Sequence, residues 1–204
     1  MPVNGEKGHR RTQAERSRTT RSALLASGRA LFAERGFAGT AREEIVERAG
    51  VTRGALHHHF GTKQDLFAAV FEQVEQELAG RIATAAMAGA DPRDQLRRGC
   101  HEFLDAALDP AVQRIVLLDA PAVLGWAAWR EVDARHGLGL VTEGLRAVFD
   151  AGLATPRPVE PLAHLLLAAL NEAAMLVAGS REPARARAEV GALVDTVLDS
   201  LLSV

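Results

Sequence analysis

The chain has 204 residues, 48% of them hydrophobic and 25% charged, which excludes a disordered polyelectrolyte and allows one large or two small units with a real core. The net charge of −2 hides an asymmetry: residues 1–63 carry 12 Lys and Arg against 6 Asp and Glu, and the remainder carries 12 against 20. A basic head on an acidic body suits a polyanionic partner, and an ordinary solvated surface would read the same by charge alone. Cys100 is the only cysteine, so no disulfide closes within the chain and a reducing, cytoplasmic setting is expected.

Alanine, leucine and arginine dominate and lose little on entering a helix, so helices are expected throughout. Residues 1–11 are polar, lack periodicity and no apolar signal core stands among them; a flexible arm is predicted there. From about Thr12 to Arg35 the spacing of Leu24, Leu25, Leu31 and Phe32 predicts a first helix, closed by Gly36. Thr40, with Glu43 three residues on, predicts an N-cap and capping box for a short second helix ending at Ala49. Gly50 breaks it, and Thr52 caps a third that ends near Phe60. Thr62 opens a fourth, whose inner face is Leu66, Phe67, Val70, Phe71 and Val74.

Beyond it, helices are predicted over 92–108 and 110–118. A stretch from Pro121 bears both tryptophans and is interrupted near Gly137-Leu-Gly. Further helices cover 140–151, 162–178 and 184–202. The most apolar stretch, Pro161 to Gly179, contains His164, Asn171 and Glu172, which a membrane span would accommodate at high cost; a core helix is expected, not a membrane segment. No strand pattern or repeat occurs, and the fold class is all-α.

Two short helices around a glycine turn, the second opening Thr-Arg, have the form of a helix-turn-helix. One helix fits the major groove of DNA only if another braces it from outside. Ile45, Ala49, Val51, Leu56 and Phe60 would form that brace against Leu24, Leu31 and Phe32. Thr52, Arg53, Gly54, His57 and His58 are then left outward on the recognition helix. Lys63 is placed as a phosphate anchor beside the free N–H groups of the fourth helix, and Thr40 and Arg42 join as backbone contacts. The alternative is a purely structural helical hairpin.

Gly50-Val-Thr-Arg-Gly-Ala-Leu-His-His-His-Phe-Gly-Thr-Lys-Gln-Asp-Leu, preceded by Leu31-Phe-Ala-Glu-Arg-Gly-Phe and Thr40, resembles the signature of the TetR family of transcription regulators. The resemblance implies a DNA-binding domain over residues 12–68 and a ligand-binding and dimerisation domain over 69–204. It also implies a homodimer on a palindromic double-stranded operator, released when a small effector favours another head spacing; most members repress. The family usually has a tyrosine where this chain has His57, and that tyrosine commonly touches the DNA backbone. His57 either takes over this contact or points away.

Other chemistries are weaker. Successive helical residues diverge by about 100°, so His57, His58 and His59 cannot converge on one metal ion, and no metal or cofactor is expected. Cys100 and His101 diverge for the same reason, which argues against a nucleophile–base pair and leaves an enzyme as the second reading.

In the last helix Val190, Val194, Val197, Leu198 and Leu201 line one broad apolar face, and the helix before it, with Leu166 and Leu170, is apolar nearly all round. Paired with a symmetry mate these make a four-helix dimer interface; packed inward they would simply fill the monomer. For the effector pocket, Trp126 and Trp129 suggest an apolar wall. His164, Asn171 and Met175, at i, i+7 and i+11, suggest polar handles there or pairs across the dimer. Cys100, Phe103 and Leu117 complete the pocket or only pack. No cluster of one sign stands among these stretches, so a small, mostly apolar effector without strong charge is expected.

Overall fold

The computed structural model describes residues 12–203, so the arm predicted over 1–11 lies outside the described residues. Ten α-helices follow in order: α1 Gln13–Arg35, α2 Arg42–Ala49, α3 Arg53–His59, α4 Lys63–Met87, α5 Pro92–Ala106, α6 Ala120–Leu124, α7 Trp126–Asp133, α8 Gly139–Asp150, α9 Val159–Gly179 and α10 Pro183–Leu201. Val112–Asp119 and Ala134–Leu138 are wound as π-helix, and there is no strand among the described residues.

Local chemistry sets the boundaries. Thr12 caps α1 through a reciprocal bond: its hydroxyl accepts from the Glu15 amide at 3.2 Å, and its own amide donates to the Glu15 carboxylate at 2.7 Å. Gly36 ends α1 at φ 73, a region that suits glycine. The expected cap of α2 sits one residue off. Ala41 is the capping residue, its amide donating to the Glu44 carboxylate at 2.9 Å. Thr40 instead turns inward, donating to the carbonyl oxygens of Gly36 at 2.8 Å and Leu31 at 3.2 Å. A buried hydroxyl needs such a partner, and the end of α1 offers two.

The first core joins the head to the body. Phe67 meets Phe32 and Phe37 edge-on, with ring centroids 5.1 and 5.2 Å apart. Leu24, Leu56, Ile45 and Leu66 close around them, fully buried. This core runs on without a gap through Ile115, Val116 and Trp129 to Val177. A second core, between α5, α8, α9 and α10, holds Leu96, Leu145, Leu166, Leu170 and Leu198. Helix α4 spans both regions unbroken, packing on α1 early and on α5 late.

Two expectations change in the body. The Gly137-Leu-Gly segment does not interrupt the helix; the chain passes through a π-turn into α8 with Gly139 at φ −58, ψ −47. At Gly137 α9 comes close: a Cβ there would lie 3.2 Å from Leu167 Cδ1, and that side chain would have to shift to admit it. Trp129 is a structural residue. In the π register Ala120 N–H bonds the Ile115 carbonyl, so the next bond, from residue 121 to Val116, would need an N–H that Pro121 lacks. The indole of Trp129 donates to Val116 O at 3.1 Å in its place. α9 is long and apolar enough to cross a membrane by composition; here it packs against α5, α8 and α10 and buries Asn171.

Candidate nucleic-acid interface and ligand cavity

Helix α3 is seven residues long, and its position comes from its inner side. Leu56 and Phe60 are buried, and Thr52 caps the start by accepting from the Ala55 amide at 3.2 Å. The opposite side presents Thr52, Arg53, Gly54, His57 and His58 to solvent. A Cβ on Gly54 would meet only the Thr52 hydroxyl, at 3.9 Å, so glycine serves the outer surface rather than the packing. Arg53 pairs with Glu43 at 2.8 Å, an exposed bridge worth little and free to open. Arg42 is half-buried and enters no ion pair among the described residues. Nδ1 of His57 lies 3.3 Å from the Gly61 carbonyl oxygen. His59 is half-buried; burial, then His58 and Arg21, hold its pKa below the ordinary value. Among the described residues no group of three or more His, Cys, Asp or Glu is placed to hold a metal ion.

Two predicted backbone contacts are otherwise employed. Thr40 is 1% exposed, so its side chain has no route to a phosphate. The Lys63 ammonium donates to the carbonyl oxygens of Phe37 at 2.8 Å and Thr40 at 2.9 Å, and lies 4.1 Å from the centre of the Phe37 ring. Lys63 therefore ties the start of α4 to the turn before α2. The Asp119 carboxylate grips the same turn by accepting the Phe37 amide at 2.6 Å. Arg21, over the Phe60 ring at 5.2 Å, is a cation of the head that the motif did not single out, because it precedes the signature.

A cavity of ≈ 310 Å³ lies in the body between α4, α5, residues 134–138, α8 and α9. Leu78, Ile82, Leu96, Phe103, Val141 and Leu167 make its apolar walls, and Cys100 lies against it. Burial pushes the Cys100 thiol up to about 12, so it is unreactive there. His101 turns the other way, its Nε2 2.9 Å from Asp195 on α10. Of the predicted pocket residues, only Cys100 and Phe103 border the cavity. Trp126 is exposed and Trp129 and Leu117 belong to the first core, while His164 points to solvent and Met175 packs against the first core. Asn171 acts from behind the wall: its amide donates to the Asp133 carboxylate at 2.8 Å, which also receives Arg130 at 2.9 Å.

The cavity also takes in ionisable groups from outside the stretches that the sequence assigned to it. Glu75, Asp133 and His136 border it together. Glu75 sits at a core position of α4, between Phe71 four residues before and Leu78 three residues after. An acid inside an apolar helical stripe was the available signal.

On α9 and α10 the outward residues differ from those expected, except for Val197. Leu166, Leu170 and Leu198 are 3%, 3% and 1% exposed, held in the second core. Val190 and Val194 are half-buried on the first core and Leu201 on the second. Leu165, Leu176, Leu193 and Val197 remain exposed, at 69%, 58%, 65% and 47%. One residue turns a helical face by about 100°, and an all-apolar helix carries no mark of which face goes inward.

The comparisons with known proteins agree with this architecture. Residues 24–70 match the model of bacterial regulatory proteins of the tetR family, and residues 93–201 match that of the tetracyclin repressor-like C-terminal domain. The HTH-type transcriptional regulator CymR of Pseudomonas putida is 34% identical over 129 residues, covering 61% of this chain and 63% of CymR. The HTH-type transcriptional activator FasR of Mycolicibacterium smegmatis is 31% identical over 105 residues, covering 51% of this chain and 46% of FasR. The chain thus spans from about half to under two thirds of these curated relatives. A TetR-family transcriptional regulator from Pectobacterium atrosepticum, known as a crystal structure, is 36% identical with a TM-score of 0.85, over 94% of this chain and 98% of that one. The chain belongs to the TetR family of transcription regulators, which sets aside the enzyme reading.

Proposed function

We propose that the chain is an effector-responsive repressor that binds a palindromic operator as a cytoplasmic homodimer. Its head is residues 12–68 and its body residues 69–204. The observation that carries this is the outward row Thr52, Arg53, Gly54, His57 and His58 on a short helix braced from behind by Leu56 and Phe60. The exposed apolar strip of Leu165, Leu176, Leu193 and Val197 supports a two-fold helical interface. A small, mostly apolar effector suits the cavity walls.

Helix α4 links the two regions. Its middle borders the cavity through Glu75 and Leu78, and its start is held to the head by Lys63. A ligand that displaces α4 would carry the head with it and change the spacing of the two recognition helices. Operator selection on random duplexes tests the reading. A palindrome should be enriched, with affinity falling steeply as salt rises. Arg53→Ala should weaken binding by about 1–3 kcal/mol at selected base pairs. Enrichment of no palindrome, or affinity indifferent to salt, would sink it.

A further inference from the structure

The cavity contains one buried acid that the described residues leave without a partner. Glu75 is 5% exposed and borders the cavity, and its carboxyl makes no hydrogen bond or ion pair with any other described residue. Its acidic neighbours are provided for. Glu72 is bound by Arg135 at 3.1 Å and by His136 at 2.7 Å, and Asp133 by Arg130 and Asn171. Among the described residues no lysine or arginine borders the cavity; its ionisable groups there are Glu75, Asp133, Glu143, His136 and the neutral thiol of Cys100. A buried carboxyl without a partner is unfavourable in a finished core, and it is retained where something else completes it.

We propose that the cavity binds an organic amine, its apolar body against Ile82, Phe103 and Leu167 and its protonated nitrogen donating to Glu75, with Asp133 alongside. The proposal rests on the effector reading above and specifies the ligand that reading leaves open. The lining suits it: most of it is apolar, and the carboxyls of Glu75 and Asp133 stand among those side chains. A compact ammonium there would exchange the solvent it loses for a carboxylate at close range, in surroundings that strengthen the pair.

The ionisation of Glu75 supplies a signature. In the empty cavity burial, then the charges of Asp133 and Glu72, push Glu75 up to about 8. At neutral pH the carboxyl is mostly protonated, so an incoming ammonium must drive that proton off. Amine affinity therefore rises with pH and levels off above about 8. Protonation of His136, which borders the same cavity, works in the same direction, so the slope belongs to Glu75 only if it disappears when Glu75 alone is changed. A neutral ligand that merely accepts a hydrogen bond from the protonated carboxyl would show the opposite slope.

Calorimetric titration of the full chain with phenylbutylamine and with its neutral counterpart phenylbutanol, between about pH 6 and pH 8, decides the matter. The amine should bind more than tenfold tighter at the upper end than at the lower, and more tightly there than the alcohol. Glu75→Gln, close in size and uncharged, should cost at least tenfold in amine affinity at the upper end and flatten the slope, while leaving the alcohol unaffected. Ala83→Leu, which fills the cavity, should weaken both probes. The proposal is overturned if the alcohol matches the amine, if Glu75→Gln leaves the amine slope unchanged, if Ala83→Leu leaves both affinities intact, or if neither probe binds. Operator affinity of the same preparations, with and without amine, is read separately: tight amine binding that leaves the operator bound upholds the site and rejects its role as an effector site.

Discussion

The head and the body differ in the charged groups that they bury. In the head, α3 puts Arg53, His57 and His58 outside and keeps Leu56 and Phe60 within, so function faces the solvent and the core stays dry. In the body, Glu75, Asp133 and Asn171 are all buried, and Leu165, Leu176, Leu193 and Val197 stand exposed on α9 and α10. A surface that must meet a large charged partner exposes its charges. The body also carries exposed charges, such as Arg185 and Glu189 on α10, but adds to them two buried acids and a set of exposed leucines. The two regions therefore differ in what lies inside and what is left outside, and each contrast can be tested by substitution.

The largest effect is expected where a charge is forced onto the wrong side of the body. Leu198→Glu would bury an unpaired carboxylate in the second core, where Leu198 is 1% exposed, and should cost roughly 3–5 kcal/mol of stability. Leu193→Glu places the same charge on the 65% exposed side of the same helix. It should leave thermal unfolding nearly unchanged and convert a dimer to a monomer in sedimentation at micromolar concentration. Equal loss of stability in both variants would show that the assigned faces are wrong.

Next comes Glu75. Its pKa is about 8 in the fold against 4.5 as the ordinary value, so the folded state binds more protons than the unfolded chain between these limits. Stability is accordingly full below about pH 4.5, declines as pH rises, and levels off above about 8. Glu75→Gln should remove this decline and raise stability in mildly alkaline solution by on the order of 2 kcal/mol, seen in urea unfolding across pH. A wild type whose urea midpoint is flat over that range would contradict an unpaired acid at this position.

Lys63 sharpens the contrast from the head. A phosphate anchor would lower the salt dependence of operator binding when removed, by about one unit of slope. A tie to the carbonyls of Phe37 and Thr40 would instead lower stability, by about 1–2 kcal/mol. Lys63→Met is expected to do the second and leave the slope alone.

The smallest effect concerns His57. An imidazole gains a proton within the physiological range and a phenol does not, so a phosphate beside His57 would make operator binding strengthen as pH falls. Between about pH 6 and pH 8, His57→Tyr should flatten that dependence with little change in affinity at the upper end. Parallel pH profiles for the two proteins would mean that the histidine takes no part in the contact.

The helices, their order and the recognition row were legible in the sequence, because caps, glycine stops and apolar spacing act over three or four residues. Thr52, Gly36 and Thr62 stand where such rules put them. Thr40 missed by one position, since a hydroxyl between two possible partners is drawn by the nearest buried carbonyls, and those belong to α1. Trp129 looked like a pocket wall, but Pro121 had removed the N–H that Val116 would have received, and that debt is visible only once the π register is known. The inward face of α9 could not be read at all, because leucine and alanine surround it; packing against α5, α8 and α10 made the choice. Sequence alone thus determined what short-range chemistry decides: where helices begin and end, and which residues the recognition helix offers. Tertiary structure decided what depends on partners far along the chain: that Lys63 holds a turn, that Glu75 stands alone in a cavity, and which leucines are left outside.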